Sequence, residues 1–216
     1  GMINDNPAAI LSKARLWHRN KQRTLIIPNA QLKDWYDAVL LLKNVKAKVY
    51  LLTLLYMGFR SDETLTLEWS TIDLEDQTIT QLDTKNRSDR TFPIPKPLMP
   101  YLKELEAITG GSKWVFAGID PTKVMVVPNK PIAKVIKASG VKFSSHTCRH
   151  TFTTIAEAVY IPLTMIKRLT NHVISNDVTG GYIHTELDTL RDASNRVADY
   201  IQARVTLKSN VITLHK

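Results

Sequence analysis

The sequence has one cysteine, Cys148, in 216 residues. An internal disulfide and a zinc site built on cysteines are therefore both excluded, which fits a reducing cytoplasm. No apolar run reaches the roughly eighteen residues that a membrane-spanning helix requires. No signal peptide is recognised at the start, so neither a membrane nor a secreted location is expected. Acidic residues are the next scarcity: 20 Asp and Glu stand against 29 Lys and Arg, a net charge of +9. A polyanion such as nucleic acid is the partner such a balance favours. There is no internal repeat, no low-complexity segment and no glycine-rich phosphate cradle. What the chain does have is apolar content, 44%, enough for a real core.

The charge is uneven. Between Asp5 and Asp34 no acidic residue occurs, while Lys13, Arg15, Arg19, Lys21, Arg23 and Lys33 all do, with Pro7 and Pro28 near the ends of the run. Residues 1–25 thus read as a basic linker, suited to tracking a phosphate backbone, that leads into a domain over 26–216. The Gly1-Met2 start reads as a tag-cleavage scar. "NAQLKDWYDAVLLL" has helical apolar spacing with Asn29 as its expected cap, and "VKAKVYLLTLLYMG" is a second, more apolar helix stopping at Gly58. "TIDLEDQTITQLD" alternates around a Glu-Asp-Gln turn and "RTFPIP" follows, so residues 71–95 predict a small antiparallel sheet with the proline-bearing strand at an edge or end. Helices return in "KPLMPYLKELEAITGG" and "KPIAKVIKASG", each ending at glycine, then from Ser145, in "PLTMIKRLTN" and in "ELDTLRDASNRVADYIQARV". The expected class is α+β, mainly helical.

"HTCRH", residues 146–150, opens one of these helices with two histidines and an arginine. His146 and His150 have a spacing that can bind metal, but no carboxylate lies within the motif, and His150 reads more simply as a packed or hydrogen-bonded structural histidine. His146 and Arg149 lie on one face of a turn, where they can share an anion. Other chemistry-bearing residues stand in order around them: Arg60 just past Gly58 in "GFRSDE", Lys85 in the turn "DTKNRSDRTF", and His172 and Tyr182 in "LTNHVISNDVTGGYIH".

In that order the residues resemble the tyrosine recombinases of the phage-integrase type over nearly all of residues 26–190. The family signature is an arginine in G-x-R-x-x-E, a hairpin lysine, H-x-x-R at a helix start, a second His or Trp, and a tyrosine about ten residues on. Here these are Arg60 with Glu63, Lys85, His146 with Arg149, His172, and Tyr182. The chain departs from the family in a step of ten positions, rather than about nine, from His172 to Tyr182, and in having Thr147 and Cys148 where an acidic residue and a leucine are common. Cys148 is expected to pack as a small hydrophobe.

The resemblance implies cleavage and rejoining of DNA through a 3′-phosphotyrosine, and the residue types suit that chemistry. A phosphoryl transition state carries extra charge on its non-bridging oxygens, and two permanently charged guanidinia, Arg60 and Arg149, can face it with planar forks of donors. Tyr182 is the candidate nucleophile, a phenol being far easier to ionise than a serine hydroxyl. The family assigns the protonation of the leaving 5′-oxygen to the hairpin lysine, here Lys85. His146 would exchange the tyrosine proton, His172 would bond a phosphate oxygen, and Glu63 would orient its neighbours. Arg87 and Arg90 are expected to grip backbone phosphates. No metal and no cofactor is expected, since the cations supply the charge.

Implied partners are double-stranded attachment sites, further protomers in a synaptic tetramer, and accessory DNA-bending or directionality factors. An N-terminal core-binding domain, usual in the family, is not encoded in residues 1–25. A type IB topoisomerase-like enzyme and a catalytically idle DNA-binding relic are the alternatives. The apolar stripe of the last helix is expected to be buried, and the tail "SNVITLHK" to add to a sheet edge, in cis or on a neighbouring protomer. Tyr160 and Tyr200 are expected to serve interface or core packing.

Overall fold

The computed structural model describes residues 25–81, 89–172 and 187–206. The basic residues Lys13, Arg15, Arg19, Lys21 and Arg23, together with Lys85, Arg87, Tyr182 and residues 207–216, lie outside the described residues.

Helix α1 (Leu32–Leu40) buries Leu32, Trp35, Tyr36 and Val39, a stripe at helical spacing. Asn29 does not cap it. A 3-10 turn, Asn29–Gln31, precedes the helix, moving the N-cap to Gln31, and the Asn29 amide instead donates to the Tyr200 hydroxyl at 3.1 Å. Helix α2 (Val45–Met57) is capped by Asn44, whose side chain accepts from the Ala47 N–H, and every residue from Val49 to Met57 is buried. A helix apolar on all sides belongs in the middle of a fold. Accordingly, α2 packs against α1, against α4 (Met99–Thr109), and against α6 (Ser145–Ala158) and α8 (Leu187–Val205).

A short helix α3 (Ser61–Leu65) leads into the sheet, β1 (Ile72–Asp73), β2 (Thr78–Gln81) and β3 (Arg90–Pro93), antiparallel in the order β1-β2-β3. The β2–β3 register pairs Thr78 with Pro93 and Gln81 with Arg90. Pro93 thus stands on an edge strand, where a missing N–H is tolerated. Phe92 packs edge-on against Phe59, ring centroids 5.0 Å apart, which ties the sheet to the segment after α2.

Helix α5 (Asn129–Ser139) ends at left-handed Gly140. Helix α6 opens on a capping box in which the Ser144 side chain accepts from the Thr147 N–H and Thr147 returns the bond. Cys148 is fully buried, packed as a hydrophobe, and burial raises its thiol pKa. Helix α7 (Leu163–Leu169) follows. Helix α8 buries Leu190, Val197, Ile201 and Val205 against its own domain, touching α1, α6 and β3. Arg191 anchors it further by donating to the carbonyls of Asp76 and Gln77 in the β1–β2 turn. Tyr200 is half-buried under the Arg204 guanidinium. Tyr160, by contrast, is not part of the core: it is 87% exposed at a left-handed position just past α6. Among the described residues no helix is long and apolar enough to cross a membrane.

Candidate active site

The site begins where α2 must stop. Gly58 takes φ +64, a left-handed conformation that glycine adopts without strain. A Cβ there would sit 2.5 Å from Cδ1 of Phe152 on α6, so the absence of a side chain also lets α2 and α6 approach. The chain then runs through Phe59, fully buried, to Arg60, which heads α3.

Arg149 closes the arrangement from α6. Its Nη1 donates to the carbonyl of Gly58 at 2.6 Å and to the carbonyl of Thr170 at 2.7 Å. Both carbonyls close helices, α2 and α7, and so carry the partial negative charge of helix ends. That explains how an arginine only 7% exposed is tolerated. Burial lowers its pKa, Arg60 adds to the effect, and Glu63 opposes it; an arginine so placed remains a cation. Both bonds use one nitrogen, and Nε and Nη2 make no hydrogen bond among the described residues.

Glu63 links the two arginines. Its Oε2 accepts the Arg60 backbone N–H at 2.7 Å and its Oε1 accepts Arg60 Nη1 at 2.7 Å. The same carboxylate stands 4.0 Å from Arg149 Nη1. One carboxylate therefore holds a pair of like charges together. Of the two, Arg60 reaches solvent, its side chain 46% exposed.

His146 is exposed at the start of α6 and lies edge-on to His150, ring centroids 4.3 Å apart. Burial, with His146 and Arg149 nearby, lowers the pKa of His150. Among the described residues no three His, Cys, Asp or Glu side chains gather closely enough to hold a metal ion. His172 is exposed just past α7, its N–H bonded to the Lys167 carbonyl at 2.8 Å. Arg60, Glu63 and Arg149 thus meet directly, while Lys85 and Tyr182 lie outside the described residues.

Two contributors were not evident from sequence. Tyr50, buried in α2, shares its hydroxyl with Ser61 at 2.7 Å and Ser145 at 3.0 Å, the first residues of α3 and α6, and so registers the two helix starts that carry Arg60 and His146. Asn171, between Thr170 and His172, takes φ 49. Its carbonyl accepts from Arg60 at 3.2 Å and its side chain accepts from Arg90 at 3.1 Å. The one sequence signal for Asn171 is that asparagine tolerates a left-handed position directly after a helix.

A model of the phage integrase family matches residues 26–188. Prophage integrase IntF of Escherichia coli K12 is 29% identical over 192 residues, 84% of this chain and 40% of that protein. The integrase of Shigella phage Sf6 is 28% identical over 213 residues, 95% of this chain and 54% of its own length. The chain thus spans about half the length of the curated relatives it matches. Among solved structures, the integrase from mycobacterium phage Brujita superposes with a TM-score of 0.65 at 18% identity, over 96% of this chain and 71% of that one. The α+β arrangement, helices with a small three-stranded sheet, is the tyrosine recombinase catalytic fold.

Proposed function

The chain belongs to the phage integrase family, and on that premise we propose that it is the catalytic part of a site-specific DNA recombinase acting on double-stranded attachment sites. The observation that carries the reading is the arginine pair: Arg149 buried on two helix-end carbonyls, Arg60 reaching solvent, and Glu63 between them. Like charges are held close at such a site when an anion is to be received between them.

In this reading Arg60 and Arg149 bind the non-bridging oxygens of the scissile phosphate, with His172 on the same group. Tyr182 Oη attacks phosphorus, His146 takes the phenol proton, and a P–O bond forms as the bond to the 5′-oxygen breaks. Lys85 protonates that oxygen, whose alkoxide is a far stronger base than a phenolate. The 3′-phosphotyrosyl bond replaces a phosphodiester of similar energy, so a new 5′-hydroxyl reverses the steps without ATP. Arg87, Arg90 and the basic linker (Lys13, Arg15, Arg19, Lys21, Arg23) would hold flanking phosphates and make binding steeply salt-dependent. A complete reaction pairs two sites, so further protomers in a synaptic tetramer and accessory DNA-bending or directionality factors belong to this proposal, as does a cytoplasmic setting.

The test is covalent capture. The protein is incubated with a pool of nicked duplexes carrying a randomised core, in which the short fragment released with a free 5′-hydroxyl diffuses away, and a denaturant-resistant protein–DNA band is sought. A band whose DNA converges on one sequence is expected. Its absence, with DNA still bound, points to a binding module. Relaxation of supercoiled plasmid by lone protomers, without sequence convergence, points to a topoisomerase.

A further inference from the structure

Asn171 touches four functional groups from three other segments. Its carbonyl accepts from Arg60 Nη1 at 3.2 Å, its Oδ1 accepts from Arg90 Nη1 at 3.1 Å, and its Nδ2 donates to Gln81 Oε1 at 2.6 Å and, at 3.5 Å, to Glu63 Oε1. The partners fix the orientation of the amide, because a guanidinium only donates and a carboxylate only accepts. Turning it around would set donor against donor at Arg90 and acceptor against acceptor at Glu63. Gln81 is fixed in turn, and its Nε2 is buried with no acceptor among the described residues. A buried donor left unmade is unfavourable, so Asn171 outweighs it in setting how Gln81 points. Gln81 and Arg90 are cross-strand partners, the last pair of the β2–β3 ladder before residues 82–88.

We infer that Asn171 is a positioning residue. It docks the Gln81–Arg90 end of the β2–β3 ladder on the C-terminal end of α7 and sets the Arg90 guanidinium beside that of Arg60, so that Arg90 serves the scissile phosphate or its immediate neighbour rather than distant backbone. One residue thereby ties the arginine that follows α2, the strand ends flanking Lys85, and His172 into a single frame. The inference rests on the recombinase reading of the site.

The test uses Asn171→Gly, which keeps the left-handed backbone and removes only the amide. With DNA recovered by covalent capture, single-turnover adduct formation at saturating DNA is expected to fall about 10- to 100-fold, the size of a lost hydrogen bond to a charged group. DNA affinity and Tm should stay close to those of the unaltered protein. Arg90→Ala should lower the rate likewise, and the double variant should be no slower than the slower single one, since both changes break one link. An unaltered rate in Asn171→Gly, or losses that multiply in the double variant, overturns the inference and leaves the recombinase reading standing. A fall in Tm large enough to unfold the variant under the assay conditions also overturns it, leaving Asn171 a structural residue. If the unaltered protein forms no adduct, the recombinase reading fails and the inference falls with it.

Discussion

Arg149 and Gly58, 91 positions apart in sequence, meet through a 2.6 Å hydrogen bond from the guanidinium to the glycine carbonyl. The same nitrogen holds the carbonyl of Thr170, so one side chain closes the ends of α2 and α7 together. Those two ends lead directly into Arg60 and His172. The arginine is therefore both a ligand for phosphate in the proposed reaction and the clamp that shapes the site around it, and substitutions should separate the two roles.

Arg149→Lys keeps the charge but loses the planar fork. A single ammonium bonded to both carbonyls has little left to offer a phosphate. Adduct formation should drop by about a hundredfold or more. Arg149→Ala should in addition destabilise the fold by roughly 2–4 kcal/mol, because two buried carbonyls lose their donor. Single-turnover cleavage and urea unfolding measure the two effects, and full activity in the lysine variant would remove Arg149 from phosphate binding.

Gly58→Ala forces a side chain onto a φ of +64 and brings its Cβ within 2.5 Å of the Phe152 ring. Left-handed strain and overpacking together should cost about 2–4 kcal/mol. Adding Phe152→Leu should recover the packing part alone. A Gly58→Ala protein as stable as the original would show that α2 and α6 can separate without consequence.

The depressed pKa of His150 gives an acid-side signature. Because burial disfavours the charged ring, the unfolded chain takes up a proton at higher pH than the folded one. Stability from the neutral ring is complete above the ordinary imidazole value of about 6.5 and is lost as pH falls below it, until the folded state protonates too. His150→Gln should thus flatten the decline of Tm between about pH 7 and pH 5. An unchanged slope would assign the acid sensitivity to other groups.

Lys85→Ala should slow cleavage of ordinary DNA far more than cleavage of DNA with a 5′-phosphorothiolate at the scissile bond, since sulfur leaves without protonation. Equal losses on both substrates would take Lys85 out of the acid role.

Much of the fold was legible because its signals are local. The apolar run to Gly58, the alternation over residues 71–95 and the glycine stop at Gly140 correspond to α2, the sheet and the end of α5. The prolines placed the last strand at an edge or end, and β3 is an edge strand. Asn29 misled because a capping residue is recognised by type, whereas a 3-10 turn and a hydroxyl on Tyr200, 171 positions away, decided its use. Tyr160 misled as a core candidate because a tyrosine near a helix reads as packing, yet it falls past the last turn of α6. In the site, Arg60, Glu63 and Arg149 were recognisable from an ordered signature. Tyr50 and Asn171 were not, since their partners lie 11 to 111 residues away and no local pattern records such contacts.

The most direct measurement identifies the residue that carries the DNA. After covalent capture, trypsin and nuclease leave a nucleotide remnant on one peptide. Cleavage after Arg168 and Arg191 releases residues 169–191, in which Tyr182 is the single tyrosine. Mass spectrometry should place the remnant on Tyr182, and Tyr182→Phe should abolish the adduct while DNA affinity is retained. A remnant on the peptide holding Tyr160 or Tyr200, or an adduct that survives Tyr182→Phe, would contradict the account.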